Sequence, residues 1–343
     1  MHRCSPSTPG EAYLSNNPTM NDVAREANVA LKTVSRYVNG ETNIGAPLAS
    51  RIQDAIATLG YRRNLAAASI RPGRKSRMLG LIIGDLANPY YSTIAGAIAS
   101  TAHDRNYLLT IGSSDENGRR HDQLVDRLLE QRVDGLIIVP PSGASRDWST
   151  LPPPMPPLVF LDRPVAFEAA DAVVADNAGG AHLATAALAE RGSRRIAFVG
   201  DSLQISTMIE RRAGYRSALN EYDLTEDLGL IVTDAHRSAD AAVAIRRLLD
   251  AGSIDGVFAA NNRAAVGALI AFRDGPTRVP LIGFDDFEAA TLSTPAVSVV
   301  SHDIALMGKT AADLVFARIS GDTSEHRTHV LPTTLTLRGS EDC

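Results

Sequence analysis

Short apolar, β-rich runs recur along most of this chain, with helical stretches between them. "LGLII" begins at Leu79, "LLTIG" at Leu108, "GLIIVP" at Gly135 and "PLVFLD" at Pro157. "RIAFVG" follows at Arg195, "LGLIVT" at Leu228, "GVFAAN" at Gly256, "PLIGFDD" at Pro280 and "VSVVS" at Val297. Segments such as "HDQLVDRLLEQ" and "AAVAIRRLLD" separate them. Strands this continuously apolar are buried on both faces, which is the situation of a parallel sheet covered by helices. So many of them point to two sheets rather than one, hence to an α/β body. Such sheets bind ligands in a cleft at the carboxyl ends of their strands. The proline-rich stretch from Pro140 to Pro157 reads as a surface loop before a strand.

Ahead of these runs the composition changes. Thr19 to Met78 holds ten Lys/Arg and four Asp/Glu, a net +6, so the rest of the chain carries −11 of the overall −5. A basic head on an acidic body points to a polyanionic partner for the head alone. In "TMNDVAREANVALKTVSRYVNG", Thr19 is placed to cap a helix, with Asp22 near its positive end. Val23 and Ala27 mark the inner side, and Asn28 tolerates a left-handed turn. A second helix ends near Asn39-Gly40. Its Val34 and Val38 face inward, which leaves Lys32, Ser35, Arg36 and Asn39 on the outer face. A third helix runs from Pro47 to Leu59, with Leu48, Ile52, Ile56 and Leu59 as its stripe and Gly60 as its stop. This is an all-α helix-turn-helix pattern, whose second helix has the reach to hydrogen-bond base edges in a major groove. The pattern alone also fits a plain three-helix bundle.

The residues carry a more specific resemblance. "NDVAREANVALKTVSRYVNG" followed by "LGYRRNLAAASI" resembles the head of the lactose/galactose repressor (LacI–GalR) family of bacterial transcription regulators. The resemblance implies that Leu31, Lys32 and Arg36 read bases, while Thr33, Ser35 and Asn39 hold backbone or bases. It also implies a hinge helix that Asn64 begins, where Ala67 and its neighbours let a dimer mate approach. Ile70 stands at the family's leucine wedge, which enters the minor groove and kinks the duplex. About seven residues cannot hold a helix alone in water, so the hinge is expected to fold on DNA. Arg71, Arg74, Lys75 and Arg77 are expected to run along phosphates. Four departures stand out. Ala30 and Gly45 replace capping serines, at about 1 kcal/mol each. Asn28 replaces a turn glycine, and Arg63 replaces a proline.

The body resembles the family's effector domain, which is akin to periplasmic sugar-binding proteins. "DLANPYY", "FLDRP", "DN" at Asp176, "RRAGY", "AANN", "GFDD" and "MG" at Met307 fall in family order. The resemblance implies two lobes, with chain crossings near Pro164, Leu292 and Gly321, and a ligand between them. Arg211, Asn261 and Asp285 stand where the family holds its ligand. Asp85, Tyr90 and Tyr91 would line the opposing lobe, and Asp162 of "FLDRP" joins the set. A fixed guanidinium fork, carboxylate acceptors and an amide suit a polyhydroxyl ligand such as a sugar, with a tyrosine face to stack on its ring. A purine stacked on Tyr91 is the alternative. Blander roles stand beside these: Asp285 as a helix cap and Arg211 in a surface ion pair. The segment from Val279-Pro280 to "GFDD" is shorter than is usual in the family.

Enzyme readings fail for want of a motif: there is no G-x-G-x-x-G, G-x-x-x-x-G-K-[ST] or G-x-S-x-G. His326 and His329 lie close but lack companions for a metal site, and no cofactor is expected. Cys4 and Cys343 imply no disulfide framework. No apolar run reaches the roughly 18 residues of a membrane span, and the polar first eighteen residues lack a signal peptide's apolar core. They read as a disordered tail, with Met20 as an alternative start and the cytoplasm as the expected location. A transport-type solute-binding protein competes for the body alone; the basic head argues against it. The expected organisation is a tail to residue 18, a DNA-binding head over 19–62, a hinge and linker over 63–78 and an effector domain over 79–341. Its lobes would be 79–163 with 293–320, and 164–292 with 321–341. The expected function is a ligand-controlled repressor. It would bind double-stranded, palindromic operator DNA as a homodimer, since two-fold symmetry demands a matching repeat. A tetramer built by an added C-terminal zipper is not expected after "RGSEDC".

Overall fold

The computed structural model describes residues 18–41, 43–62, 75–143, 146–151, 153–165 and 167–342. The N-terminal tail, the hinge residues Asn64, Ala67 and Ile70, the basic Arg71 and Arg74 and both cysteines lie outside the described residues. The chain divides into two compact units, Met1–Arg74 and Lys75–Cys343.

In the first unit, α1 spans Met20–Glu26, α2 Leu31–Val38 and α3 Ala46–Leu59. Thr19 and Asp22 form a reciprocal capping box at the start of α1, so two orphan N–H groups are satisfied. Asn28 makes the turn at φ 50°, and Gly60 ends α3 at φ 64°. Ala30 and Gly45 begin their helices without a side-chain cap, since neither carries a side-chain acceptor. Val23, Ala27, Val34 and Ile52 close the small core, with Val38, Leu48, Ile56 and Leu59 packed around it.

The second unit holds two six-stranded sheets. The first uses β1 (Met78–Ile83), β2 (Leu108–Ser113), β3 (Gly135–Ile138), β4 (Leu158–Leu161), β5 (Asp171–Ala175) and β11 (Thr328–Leu331), in the order β11-β5-β4-β3-β1-β2. Every pairing in it is parallel. The second uses β6 (Ile196–Val199), β7 (Ile231–Val232), β8 (Gly256–Ala259), β9 (Leu281–Phe284), β10 (Ser298–Ser301) and β12 (Thr334–Thr336), in the order β12-β10-β9-β8-β6-β7. Here only the β10–β12 pairing is antiparallel among the named strands. Side-chain alternation divides each strand between two cores. Leu79, Leu81 and Ile83 join α4 (Pro89–Asp104) and α10 (Ile304–Ile319), while Ile82 faces the layer of α5 (Gly118–Glu130). In the second lobe, Ala197 and Val199 face α8 (Ser238–Asp250) and α9 (Asn262–Arg273); Ile196 and Phe198 face α6 (Asn177–Glu190) and α7 (Ser206–Glu221).

The two-lobed α/β reading stands, but the expected lobe limits do not. β5 lies beyond Pro164 yet extends the first sheet, pairing with both β4 and β11. β10 lies beyond Leu292 yet pairs with β9 in the second sheet. β11 lies beyond Gly321 yet returns to the first sheet. The chain therefore crosses after Ala175, after Ser301 and after Leu331. The linker limit at 78 also shifts. Ser76 and Arg77 donate their backbone N–H groups to Asp134, and Lys75 Nζ donates to the Ile319 carbonyl, so these residues are held by the body. Of the cations expected along phosphates, Lys75 has its ammonium taken up there, whereas Arg77 is held by its backbone and stays exposed. "LGLIVT" yields a one-turn 3-10 helix at Leu228–Leu230 and only a two-residue strand.

Candidate functional site

The head carries the first candidate face. Burial of Val34 turns the opposite side of α2 outward, where Leu31 is 44% exposed and Lys32 and Asn39 are exposed. Thr33, Ser35 and Arg36 are half-buried. Arg36 donates through Nε to Glu41 at 2.7 Å and through a terminal nitrogen to Asn43. Asn39 Nδ2 reaches Ser35 Oγ at 3.4 Å. Arg51, counted in the basic head, serves the fold instead: it donates to the carbonyls of Ala27 and Asn28 and so satisfies the end of α1 and the turn.

The second candidate is a cavity of about 360 Å³ in the body. All seven residues expected to hold an effector line it: Asp85, Tyr90, Tyr91, Asp162, Arg211, Asn261 and Asp285. Both sheets supply it from strand carboxyl ends. Asp162 follows β4 and Asp285 follows β9, and both take left-handed backbone, at φ 67° and 68°. Each donates its N–H to a neighbouring strand, Asp162 to Val173 and Asp285 to Val300. The two lobes thus repeat one device: an aspartate turned out of a buried strand end. Non-glycine residues in this conformation concentrate at functional sites.

In the second lobe Arg211 is 3% exposed. Its Nε donates to Asn177 Oδ1 at 2.9 Å, and Nη1 donates to the Ala260 carbonyl at 2.7 Å and to Asp285 Oδ2 at 3.3 Å. The guanidinium lies 3.6 Å from the Phe284 ring centroid, a cation–π contact. Neither bland role survives: Arg211 is not at the surface, and Asp285 caps no helix. The short segment before "GFDD" leaves Asp285 in the cleft. Asp285 Oδ1 is buried with no partner among the described residues. Asn261 is the residue that caps, since its Oδ1 accepts from Ala264 N at 2.7 Å and begins α9.

In the first lobe Asp162 accepts from the Tyr90 hydroxyl at 3.0 Å and from the Tyr91 hydroxyl at 3.3 Å. Burial raises both phenols well above their ordinary range, and the Asp162 charge adds to this, so both remain donors. Both rings are buried and packed edge-on at 5.2 Å. Little of either ring is left open for stacking a sugar or a purine. Asp85 lines the cleft but is paired across it with Arg263 of α9. Its carboxyl is opposed by burial, yet the Ala87 N–H and Arg263 hold it below the ordinary value.

Several residues of the cleft were not foreseen. Arg163, adjacent to Asp162 in "FLDRP", grips Glu116 with both terminal nitrogens, at 2.7 and 2.9 Å. Burial works against its charge, but the carboxylates of Glu116 and Asp162 outweigh that and raise its pKa. Asn262 donates to Asn88 Oδ1 at 2.8 Å, and His236 meets Asp201 at 2.7 Å. For Arg163 and Asn262 the only available signal was adjacency to Asp162 and Asn261 in their motifs.

A helix-turn-helix head and a two-lobed body with a polar interlobe cleft are the build of a ligand-binding transcription regulator. Residues 19–64 match the model of "Bacterial regulatory proteins, lacI family", and residues 185–341 match that of a "Periplasmic binding protein-like domain". The HTH-type transcriptional regulator CelR of Thermobifida fusca is 31% identical over 339 residues, covering 94% of this chain and 98% of CelR. The chain belongs to the LacI family of bacterial regulatory proteins. A solved complex of CelR with cellobiose is similar over 94% of this chain and 99% of that one, at 30% identity and a TM-score of 0.68. The lac repressor dimer bound to operator shares the fold at a TM-score of 0.82 and 23% identity, covering 96% of this chain and all of that one. No described helix is long and apolar enough to cross a membrane.

Proposed function

We propose that the chain is a repressor that binds a palindromic operator as a homodimer and answers to a small sugar-like effector held between its lobes. The observation that carries the effector reading is the pair of buried aspartates, Asp162 and Asp285, one from each lobe, with Arg211 fixed beside the second. Hydroxyls bound by both would link the lobes, and ligands shift equilibria only through such differential contacts. CelR's complex with cellobiose and the operator-bound lac repressor dimer support the same reading by likeness. The buried tyrosine rings disfavour the purine alternative.

The DNA reading places Leu31, Lys32, Thr33, Ser35, Arg36 and Asn39 at the major groove. The hinge residues Asn64, Ala67 and Ile70 are proposed to act at the minor groove. The test is fluorescence anisotropy on an inverted-repeat operator selected from random DNA, with and without sugars. A bidentate arginine–guanine pair is worth about 1–3 kcal/mol of discrimination. Arg36→Ala should therefore weaken operator binding by roughly 5- to 150-fold while scrambled DNA is held nearly as before. Equal losses on both DNAs would refute base reading by Arg36. A cleft that binds no small molecule and leaves operator affinity unmoved would refute the effector reading.

A further inference from the structure

We infer that the effector is an uncharged polyhydroxyl compound that enters the cleft as a hydrogen-bond donor, and that anionic sugars such as phosphates and sugar acids are rejected. This rests on reading the cleft as the effector site. Six carboxylates line the cleft against four guanidinium groups. Each of those arginines already meets a carboxylate. Arg163 faces Glu116 and, at 3.6 Å, Asp162. Arg211 faces Asp285, and Arg263 faces Asp85. Arg237 is paired with Asp240, outside the lining. An anion would have to share or break one of these pairs to find a side-chain countercharge.

The acceptors point the same way. Arg163 is shared between two acids, so the first lobe's wall carries excess negative charge. Asp162 is otherwise held by neutral tyrosine hydroxyls. Asp285 Oδ1 is buried without a donor among the described residues, and a buried unsatisfied acceptor is costly. A ligand hydroxyl relieves that cost. A phosphate or carboxylate oxygen has no proton to give, and beside Asp285 it would add like-charge repulsion strengthened by burial. Building repulsion against the wrong ligand is how sites gain specificity.

The experiment is calorimetric titration of the full chain with pairs that keep the same ring form: cellobiose and cellobiose 6′-phosphate, glucose and glucose 6-phosphate, galactose and galactose 6-phosphate. The expected result is that a neutral member binds and its charged twin binds at least tenfold more weakly. Glu116→Gln, which leaves Arg163 facing only Asp162, should narrow that gap, and the variant's fold is checked by its operator binding. A charged member that binds as tightly as its neutral twin would overturn the inference and leave the sugar-effector reading standing. If no member of any pair binds, the sugar-effector reading falls and the inference with it.

Discussion

Arg36 and Glu41 form an ion pair on the face proposed to read DNA. Both side chains are at least a third exposed, so the pair adds little to stability. Its weight lies in orientation. An acid beside a groove-reading arginine holds the guanidinium in one pose and repels phosphates that are not met in register. Glu41→Gln should therefore raise affinity for scrambled DNA and lower the ratio of operator to scrambled binding. An unchanged ratio in anisotropy titrations would make the pair incidental. Two buried histidines set another residue-scale property. Burial lowers the pKa of His302, partly offset by Asp285 and Asp162, and burial likewise lowers that of His121. Each native histidine thus binds its proton less readily than the unfolded chain, where the value is about 6.5. Stability is full above that value, declines as the pH falls below it, and stops declining once the lowered native pKa is passed. Melting temperature should drop between about pH 7 and pH 5, and His302→Gln combined with His121→Gln should flatten the slope. An equally steep slope in the double variant would rule these histidines out as its source.

At the scale of elements, helix contacts aim the site. Gly214 lies three residues after Arg211 on α7, and a Cβ there would come within 2.1 Å of the Ala178 carbonyl oxygen on α6. The obstacle is backbone, so α7 itself would have to move, and Arg211 would move with it. Gly214→Ala should cost about 1–3 kcal/mol and weaken the effector response. Gly96 on α4 is the contrast, because nothing lies within 4 Å of its added Cβ. Gly96→Ala should stabilise by about 0.5–1 kcal/mol through helix propensity alone. Thermal melts of the two variants moving in the same direction would contradict this packing. Elements were legible wherever their signals were local. Thr19, Asn28 and Gly60 punctuate the head by their own chemistry, and the apolar runs announced most strands. The lobe limits were not legible, because a five-residue run such as Asp171–Ala175 says nothing about which sheet will pair with it. The aspartates of the cleft were readable through their motifs. The partners of Asp85 and Asp162 were not, since Arg263, Tyr90 and Tyr91 meet them only once the chain is folded.

For the molecule as a whole, the question is what holds the lobes together around a ligand. Two polar contacts cross the cleft side by side: the Asp85–Arg263 ion pair and the Asn262–Asn88 hydrogen bond. They join the segment after β1 to the first turn of α9, one from each lobe, and fasten the closed arrangement without touching Asp162 or Asp285. A ligand that needs the closed state binds with its intrinsic constant divided by the closed fraction, so anything that opens the cleft weakens binding even where Asp162 and Asp285 are untouched. The ion pair is about one-third exposed on both sides, which limits its worth to about 1 kcal/mol. Arg263→Ala should therefore lower effector affinity by up to roughly fivefold and increase the radius of gyration of the ligand-free chain in X-ray scattering. Salt should reproduce part of the effect in the natural chain, because a partly exposed pair is screened. It should do less in Arg263→Ala, where the pair is already gone. If Arg263→Ala changes neither affinity nor scattering at low salt, closure is governed by the ligand and the lobe cores alone, and the two contacts merely accompany it.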